Sequence, residues 1–163
     1  MLLAKRRRQL RVGRIGLIAD THGLIRPEAP AALKGSELII HAGDIGTPEV
    51  LQALGNIAPV VAIRGNNDRD SWAQQIPDLL DLKISGIKIY VIHDVNELDR
   101  DSVDGFHAVI SGHSHKPNVI TKDGVLFVNP GSAGPRRFKL PIAVARLQLN
   151  GAKMRAKILT LEV

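Results

Sequence analysis

The chain has no cysteine and few aromatic residues, and both absences narrow what it can be. Without cysteine, its 163 residues form no disulfide and offer no thiolate to a metal ion, which favours a cytoplasmic protein. Aromatic residues make up 3% of the chain, so its core must be packed with Ile, Leu, Val and Ala. The same scarcity disfavours sequence-specific stacking on single-stranded nucleic acid. No apolar run approaches the roughly 20 residues of a membrane-spanning helix, so no membrane partner is expected.

The net charge of +6 is concentrated at the start of the chain. Residues 1–14 hold six of the 22 basic residues and no acidic one, which leaves 16 basic residues against 16 acidic ones. We therefore expect residues 1–11 to form a flexible, solvated basic arm and residues 12–163 to form a single domain. The alternative for the arm is a weak electrostatic contact with RNA, DNA or an anionic surface. The sequence leaves open whether the chain forms a homo-oligomer.

The first half of the chain alternates short apolar runs with helical segments. The runs cover residues 15–19, 37–42 and 59–64, and helices are predicted to begin at Arg26-Pro27-Glu28 and Thr47-Pro48-Glu49. Apolar runs of this length indicate strands that are buried on both faces. Three strand–helix units in succession predict parallel neighbours in an α/β sheet.

The second half of the chain is richer in hairpin signals. Paired apolar runs surround the turns Ser85-Gly86, Asp123-Gly124 and Asn150-Gly151. An acidic segment over residues 95–105 is predicted to be a short helix and a turn, followed by a strand over residues 106–110. The change of rhythm predicts two sheets packed together with helices outside.

Metal-ligating side chains follow five of the predicted strands directly. They are Asp20 and His22, Asp44, Asn66, His93, and His113 with His115. Taken singly, Asp44 suits a helix N-cap, Asn66 a left-handed turn and His93 a packed core histidine. Together, seven oxygen and nitrogen ligands at the carboxyl ends of strands exceed the needs of one four- to six-coordinate ion. The pattern therefore predicts two ions with a shared ligand, whereas His41 and His107 are predicted to be structural.

The short blocks that carry these residues resemble a known family in their order and spacing. They are Asp20-Thr21-His22, Gly43-Asp44, Gly65-Asn66-x-Asp68, His93, Gly112-His113-Ser114-His115, Asn129-Pro130-Gly131-Ser132 and Pro135-Arg136. The chain from Val12 onwards resembles calcineurin-like metallophosphoesterases. Within them it resembles the small, cap-less phosphodiesterase branch, which also contains the retromer scaffold subunit.

This resemblance implies an α/β fold, a four-layer α-β-β-α sandwich in which two mixed sheets are flanked by helices. It implies that Asp20, His22 and His115 hold one metal, that Asn66, His93 and His113 hold a second, and that Asp44 bridges them. A water between the two metals would lose its proton and, as a bridging hydroxide, attack phosphorus in line. Mixed His, Asp and Asn ligation suits Mn, Ni, Zn, Fe or Co, because no soft ligand selects among them. Mn is the first candidate.

Further expectations come with the resemblance. Asn67, Asp68 and His113 are the candidate catalytic residues, and Arg136 or Arg137 is a candidate contact for substrate phosphate. Asn67 replaces the His of the wider superfamily and the Cys of this branch, and its amide donates hydrogen bonds but delivers no proton to a leaving group. Asp68 either orients a histidine ligand or a water, or caps a turn. Asp94 stands where the branch usually has Gly and raises the local negative charge.

The function that follows is a metal-dependent phosphoesterase, with diesters preferred to monoesters. Residues 70–79 leave no room for a cap domain, so the site should be open. The alternative is a protein-interaction scaffold on the same fold with weak or no catalysis. All seven ligand positions hold competent residues, which disfavours the scaffold.

Overall fold

The computed structural model describes residues 12–163, and the basic arm predicted over residues 1–11 lies outside them. The first of its two sheets has five strands in the order β10-β9-β1-β2-β3. These strands are β1 (Arg14–Ile18), β2 (Leu38–His41), β3 (Val60–Ala62), β9 (Ala143–Asn150) and β10 (Lys153–Thr160). β1, β2 and β3 are parallel, whereas β9 runs antiparallel to β1 and to β10. The predicted parallel strands of the first half are therefore confirmed.

The second sheet also has five strands, in the order β4-β5-β6-β8-β7. Its strands are β4 (Leu79–Ile84), β5 (Ile87–Ile92), β6 (Ala108–Ile110), β7 (Asn118–Lys122) and β8 (Val125–Asn129). β5, β6 and β8 are parallel, and the edge strands β4 and β7 are antiparallel to their neighbours. Both sheets are thus mixed, and the predicted sandwich of two mixed sheets with helices outside is confirmed.

Short helices pack on the outer face of the first sheet. Within residues 12–163 the α-helices are α1 (Glu28–Leu33) and α2 (Pro48–Gly55), and 3-10 helices cover Ser71–Gln75, Val95–Glu97 and Arg100–Val103. Leu33 of α1 and Leu54 of α2 are fully buried in a cluster that includes Ile18 and Ile39 on the outer face of the first sheet. The predicted acidic helix is thus two 3-10 turns, begun by Asp94 and Asp99, whose carboxylates accept from the amides of Asn96 and Asp101. None of the helices in residues 12–163 has the length and apolar character needed to span a bilayer.

The main core lies between the two sheets and is aliphatic. Leu17 and Ile40 of the first sheet face Ile89 and Ile110 of the second, and all four are fully buried. Burial of one such side chain stabilises the fold by about 1.5–3 kcal/mol. The predicted core of Ile, Leu, Val and Ala is confirmed.

Two details of the second half differ from the sequence prediction. The third hairpin pairs Asn150 with Lys153, so its turn is Gly151-Ala152 and begins one residue later than predicted. Leu147 and Leu149 point inward while Gln148 and Asn150 are exposed, so the alternation of β9 continues through Asn150. The strand predicted over residues 106–110 is shorter, Ala108–Ile110.

Candidate metal centre

The loops after β1 and β2 run side by side and bring the first two carboxylates together. The amide of Asp20 donates to the carbonyl of Gly43 at 3.0 Å, and the amide of His22 donates to that of Asp44 at 3.0 Å. These bonds continue the pairing of two parallel strands beyond their ends. We call the edge formed by residues 19–23, 42–46, 63–68, 93–94 and 111–115 the ligand end.

Five of the seven predicted metal ligands converge at the ligand end. Their donor atoms form two groups, Asp20 with His22 and His115, and Asp20 with Asp44 and His93, in each of which the atoms lie within 4.8 Å of one another. The Oδ2 atom of Asp44 lies 3.3 Å from His93 Nε2 and 3.7 Å from His22 Nε2. The Oδ1 atom of Asp20 lies 3.6 Å from His115 Nε2 and 3.8 Å from His93 Nε2. Both carboxylates therefore lie between histidines that the sequence assigned to different metals.

The other two predicted ligands lie at the margin of these groups. His113 is 42% exposed, and its ring packs edge-on against His93 with centroids 5.2 Å apart. Its Nε2 atom lies 3.6 Å from Oδ2 of Asp94, so the unusual acid faces this histidine. Asn66 is exposed, in the loop after β3.

The backbone of the ligand end is strained at the predicted ligands themselves. Positive φ angles occur at five of them: Asp20 (55°), His22 (47°), Asp44 (55°), His113 (70°) and His115 (63°). A non-glycine residue in this region costs of the order of 1–3 kcal/mol and persists where the surrounding structure enforces it, commonly at functional sites. The strain therefore coincides with the predicted site.

The donor atoms fit a divalent cation. Oδ1 of Asp20, Nε2 of His22 and Nε2 of His93 are buried and have no hydrogen-bond partner among the described residues. Buried polar atoms without a partner are rare and suggest a missing ion. Nδ1 of His93 donates to the carbonyl of Ala42 at 2.7 Å, which leaves Nε2 with its lone pair free to coordinate. Carboxylate oxygens with imidazole nitrogens are the donors of first-row transition metals.

Burial and mutual charge shift the pKa values of these groups. Burial raises the pKa of Asp20 to about 7, although the nearby His93 acts to lower it. Burial also acts to raise the pKa of Asp44, but the nearby His93, 3.3 Å away, and a hydrogen bond from the Asn67 amide outweigh it and hold this pKa well below its usual range. Burial, with the charge of Arg137, lowers the pKa of His115 to about 4, so the imidazole is neutral at pH 7, the form that binds metals.

Asn67 and Asp68 hold the loops of the site. The amide of Asn67 donates to Oδ1 of Asp44 at 3.0 Å, and its side chain donates to Oδ2 at 3.1 Å. The buried carboxylate of Asp68 accepts from the backbone amides of Ile45, Gly46 and Gly65 at 2.9–3.0 Å. These hydrogen bonds are those expected if Asp68 caps a turn, one of the roles predicted for it. They hold in place the loop that carries Asp44.

A threonine and a histidine that sequence reasoning did not connect clamp the two central loops. Thr21 Oγ1 donates to the carbonyl of Ile45 at 2.8 Å, so it accepts from Nε2 of His41 at 2.9 Å. Nδ1 of His41 in turn accepts from the amide of Gly43 at 3.1 Å. Burial lowers the pKa of His41 to about 3, so the ring is neutral and structural, as the sequence predicted. Only the tertiary structure brings Thr21 to this ring, because 20 residues separate them.

The segment around Asn129 supports the site from the side. Its Nδ2 donates to the carbonyl of Gly112 at 2.9 Å, next to His113. Ser132 Oγ donates to the carbonyl of Asp20 at 3.0 Å. The block Asn129-Pro130-Gly131-Ser132 of the family resemblance thus braces two of the ligand loops.

Comparisons with known proteins agree with this geometry. The family model for the calcineurin-like phosphoesterase superfamily domain matches residues 14–152. The chain is 34% identical over 158 residues to the protein named "Probable metallophosphoesterase" of Methanothermobacter thermautotrophicus, which covers 89% of this chain and 91% of that protein. The solved structure of a novel archaeal phosphodiesterase has a TM-score of 0.75 at 25% identity and covers 90% of this chain and 99% of that one. Vps29 of Chaetomium thermophilum has a TM-score of 0.74 at 14% identity, with 90% and 97% covered, which shows the shared fold alone.

Proposed function

The chain belongs to the calcineurin-like phosphoesterase superfamily, and from this premise we propose that it is a metal-dependent phosphodiesterase of the cytoplasm. The observation that carries the proposal is the pair of donor groups that share Asp20 at the ligand end. Their buried atoms without partners fit cations better than they fit a purely structural role. The similarity to a solved archaeal phosphodiesterase supports diesters as the substrate class.

We propose that seven residues hold two divalent cations, with Mn²⁺ as the first candidate. Asp20, His22 and His115 would hold one, Asn66, His93 and His113 the other, and Asp44 would bridge them. Bound there, the cations would supply Lewis acidity toward phosphoryl oxygens and an acidified water as nucleophile.

The chain's own groups would orient the site around the phosphate. Two hydrogen bonds from Asn67 fix the carboxylate of Asp44. Asp68 holds the loops after β2 and β3 in place. Asn67 has no proton to give near pH 7, so the half-exposed His113 is the other candidate to reach the leaving-group oxygen. It would act either as a ligand of the second cation or as this proton donor, because a coordinated imidazole nitrogen holds no proton.

Access to the ligand end supports diester substrates. After Asp68 the chain passes through one short 3-10 helix, Ser71–Gln75, directly into β4, so no cap domain is inserted here. A diester carries groups on both sides of its phosphate, and an open edge accommodates both.

Replacement of Asp44 tests the proposal. We expect Asp44→Ala to lower kcat/KM for bis(p-nitrophenyl) phosphate by about a thousandfold or more, because the cations contribute several kcal/mol of transition-state stabilisation. Bound metal, measured by elemental analysis after dialysis, should fall with it. Asp123→Ala is the matched control, because this acid also has a positive φ but lies in a hairpin turn far along the chain from the site. Equal activity of the two variants would refute the proposal.

The scaffold alternative makes a different prediction in the same experiment. Val119 and Ile120 on the edge strand β7 are 40% and 50% exposed, and an edge strand with apolar side chains is where a partner strand could pair. Wild-type protein that is free of metal and inactive after growth with added Mn²⁺ would favour the scaffold.

A further inference from the structure

One aromatic side chain stands almost completely in solvent, in a loop that follows the segment bracing the site. Phe138 is 90% exposed, the most exposed large hydrophobic residue in the described part of the chain. It lies in the loop over residues 135–139, which we call the Phe138 loop, and its neighbours Arg137 and Lys139 are exposed cations. This ring gains no stabilisation from burial on folding, and its face is available to contact a ligand.

The Phe138 loop begins directly at the metal centre. The amide of Ala133 donates to the carbonyl of Ala19 at 3.1 Å, and Ser132 Oγ donates to that of Asp20 at 3.0 Å. Gly134 lies so close to the backbone of Asp20 and Thr21 that a Cβ atom there would overlap their carbonyl oxygens. Three residues separate Gly134 from Phe138, so their Cα atoms lie at most about 15 Å apart. This limit keeps Phe138 within about that distance of the point where Gly134 meets the loop of Asp20.

The backbone is strained at Phe138 itself. The amide of Leu140 donates to the carbonyl of Arg137 at 3.1 Å, which closes a turn whose first corner is Phe138. The φ angle of Phe138 is +54°, a region suited to Gly, Asn or Asp at such a corner and unfavourable for a bulky side chain. Strain of this kind is found where the position of the side chain matters.

The two arginines of the Phe138 loop have different tasks. Arg136 donates to the carbonyls of Leu140 and Val163 and so anchors the loop. Arg137 is exposed and makes no such hydrogen bond among residues 12–163, which leaves its guanidinium able to meet a phosphate. Of the two phosphate contacts that the sequence suggested, the structure favours Arg137.

We propose that Phe138 stacks on the nucleobase of a nucleotide phosphodiester whose phosphate lies at the metal centre, beside Arg137. This inference rests on the proposed function and names its substrate class. A flat apolar face flanked by cations matches a ligand that combines a planar ring with an anion, and stacking tolerates any base. A protein partner fits less well, since one ring between charged residues is not an apolar patch of several hundred Å².

The test compares two substrates with the same leaving group. One is the p-nitrophenyl ester of thymidylate, and the other is methyl p-nitrophenyl phosphate, which has no base. We expect Phe138→Gly to lower the ratio of their kcat/KM values, nucleoside over methyl, by roughly five- to a hundredfold, the range of one base–aromatic stack. Glycine adopts a positive φ freely, so this variant removes the ring and preserves the turn.

Two more variants keep the test specific. Phe138→Trp should restore the ratio, because any aromatic face stacks on a base. Ile120→Ala, which shortens an exposed apolar residue on β7, should leave the ratio at its wild-type value. A ratio that stays the same in Phe138→Gly would overturn the inference while the activity on the methyl diester would still support the phosphodiesterase.

A binding measurement makes the inference independent of turnover. Thymidylate added to wild-type protein loaded with diamagnetic Zn²⁺ should show upfield shifts of its base protons in NMR spectra, caused by the ring of Phe138. These shifts should vanish in Phe138→Gly while phosphate competition persists. Equal shifts in both proteins would overturn the inference, and binding of neither thymidylate nor inorganic phosphate would count against the proposed function as well.

Discussion

Both ends of the sandwich contain non-glycine residues with left-handed backbone, but only the hairpin end needs no ligand. The hairpin end carries the turns Ser85-Gly86, Asp123-Gly124 and Gly151-Ala152, which join antiparallel strands. The ligand end carries the loops after the parallel strands. Positive φ angles at non-glycine residues occur at both, which invites a comparison of what each end gains from them.

At the hairpin end the strain is part of a standard turn. Ser85 and Asp123 have φ angles of 52° and each precedes a glycine with positive φ. Two positive φ angles in succession give the type I′ turn, whose twist matches that of the paired strands. The strand pairing that follows offsets the local cost, and the turn needs no ligand.

At the ligand end, the residues with strained backbone gain no stabilisation from it in the absence of a ligand. Asp20, His22 and Asp44 are strained, and Asp20 Oδ1 and His22 Nε2 are also buried without partners. Each unpaired buried atom costs about 1–3 kcal/mol. This difference between the two ends indicates that the ligand end is built for an ion. Experiments that affect the two ends differently can test this conclusion.

Metal removal should produce the largest difference between the ends. At free metal about a hundredfold above its Kd, binding stabilises the fold by about 2.7 kcal/mol, so chelation should lower the Tm by roughly 5–10 °C. Hydrogen exchange should accelerate in the amides of residues 20–22 and 43–46 and stay unchanged in the turns of the hairpin end. Uniform acceleration across both ends would contradict the comparison.

Adding a methyl group to one glycine at each end is the second test. A Cβ atom on Gly65 would overlap the carboxylate and the amide of Asp44, whereas one on Gly86 would meet nothing within 4 Å. We expect Gly65→Ala to weaken metal binding about 10–100-fold, as loss of ligand support does. Gly86→Ala has a positive φ to satisfy and should cost about 1–2 kcal/mol of stability with full metal affinity. Metal titration and thermal unfolding of both variants distinguish these outcomes.

The clamp made by His41 gives the smallest effect, and it depends on pH. Burial lowers the folded-state pKa of His41 to about 3 from 6.5, so between these values the unfolded chain binds the extra proton and stability falls as the pH falls. At about pH 5.5 the metal-free protein should have lost about 1.4 kcal/mol through this residue alone. Denaturant unfolding of wild type and His41→Gln at several pH values gives the free energy of unfolding of each protein. The difference between their pH dependences measures this contribution. Identical slopes would mean that His41 is protonated in the fold.

Features that depend on residues close together in the chain could be predicted from the sequence, whereas features that depend on residues far apart could not. The two adjacent residues Asp123-Gly124 mark a hairpin turn, and Asp20 directly follows an apolar strand. Both the hairpin and the position of Asp20 at a strand end could therefore be predicted. The parallel pairing of β5, β6 and β8 has no local marker, because the strands are joined through long connections. For the same reason the sequence indicated that the ligands gather but not that Asp20 belongs to both donor groups.

Side-chain direction was the second limit. The sequence left Asp68 between two roles, and three backbone amides reach its carboxylate only when the loops after β2 and β3 meet. The scarcity of aromatic residues was evidence against sequence-specific binding to single-stranded nucleic acid. Composition gives no position for Phe138, which depends on a strained turn, so the proposed stacking on a single base could not be predicted from it.

The sharing of Asp20 between the two donor groups has an evolutionary consequence. Its Oδ1 lies near His93 and His115, and its Oδ2 accepts from the amide of His113 at 3.0 Å. One codon change at this position would therefore disable both donor groups at once while the buried aliphatic sandwich stays intact. A lineage with this architecture stands a single mutational step from a catalytically silent protein of the same shape, which can then be kept for other work.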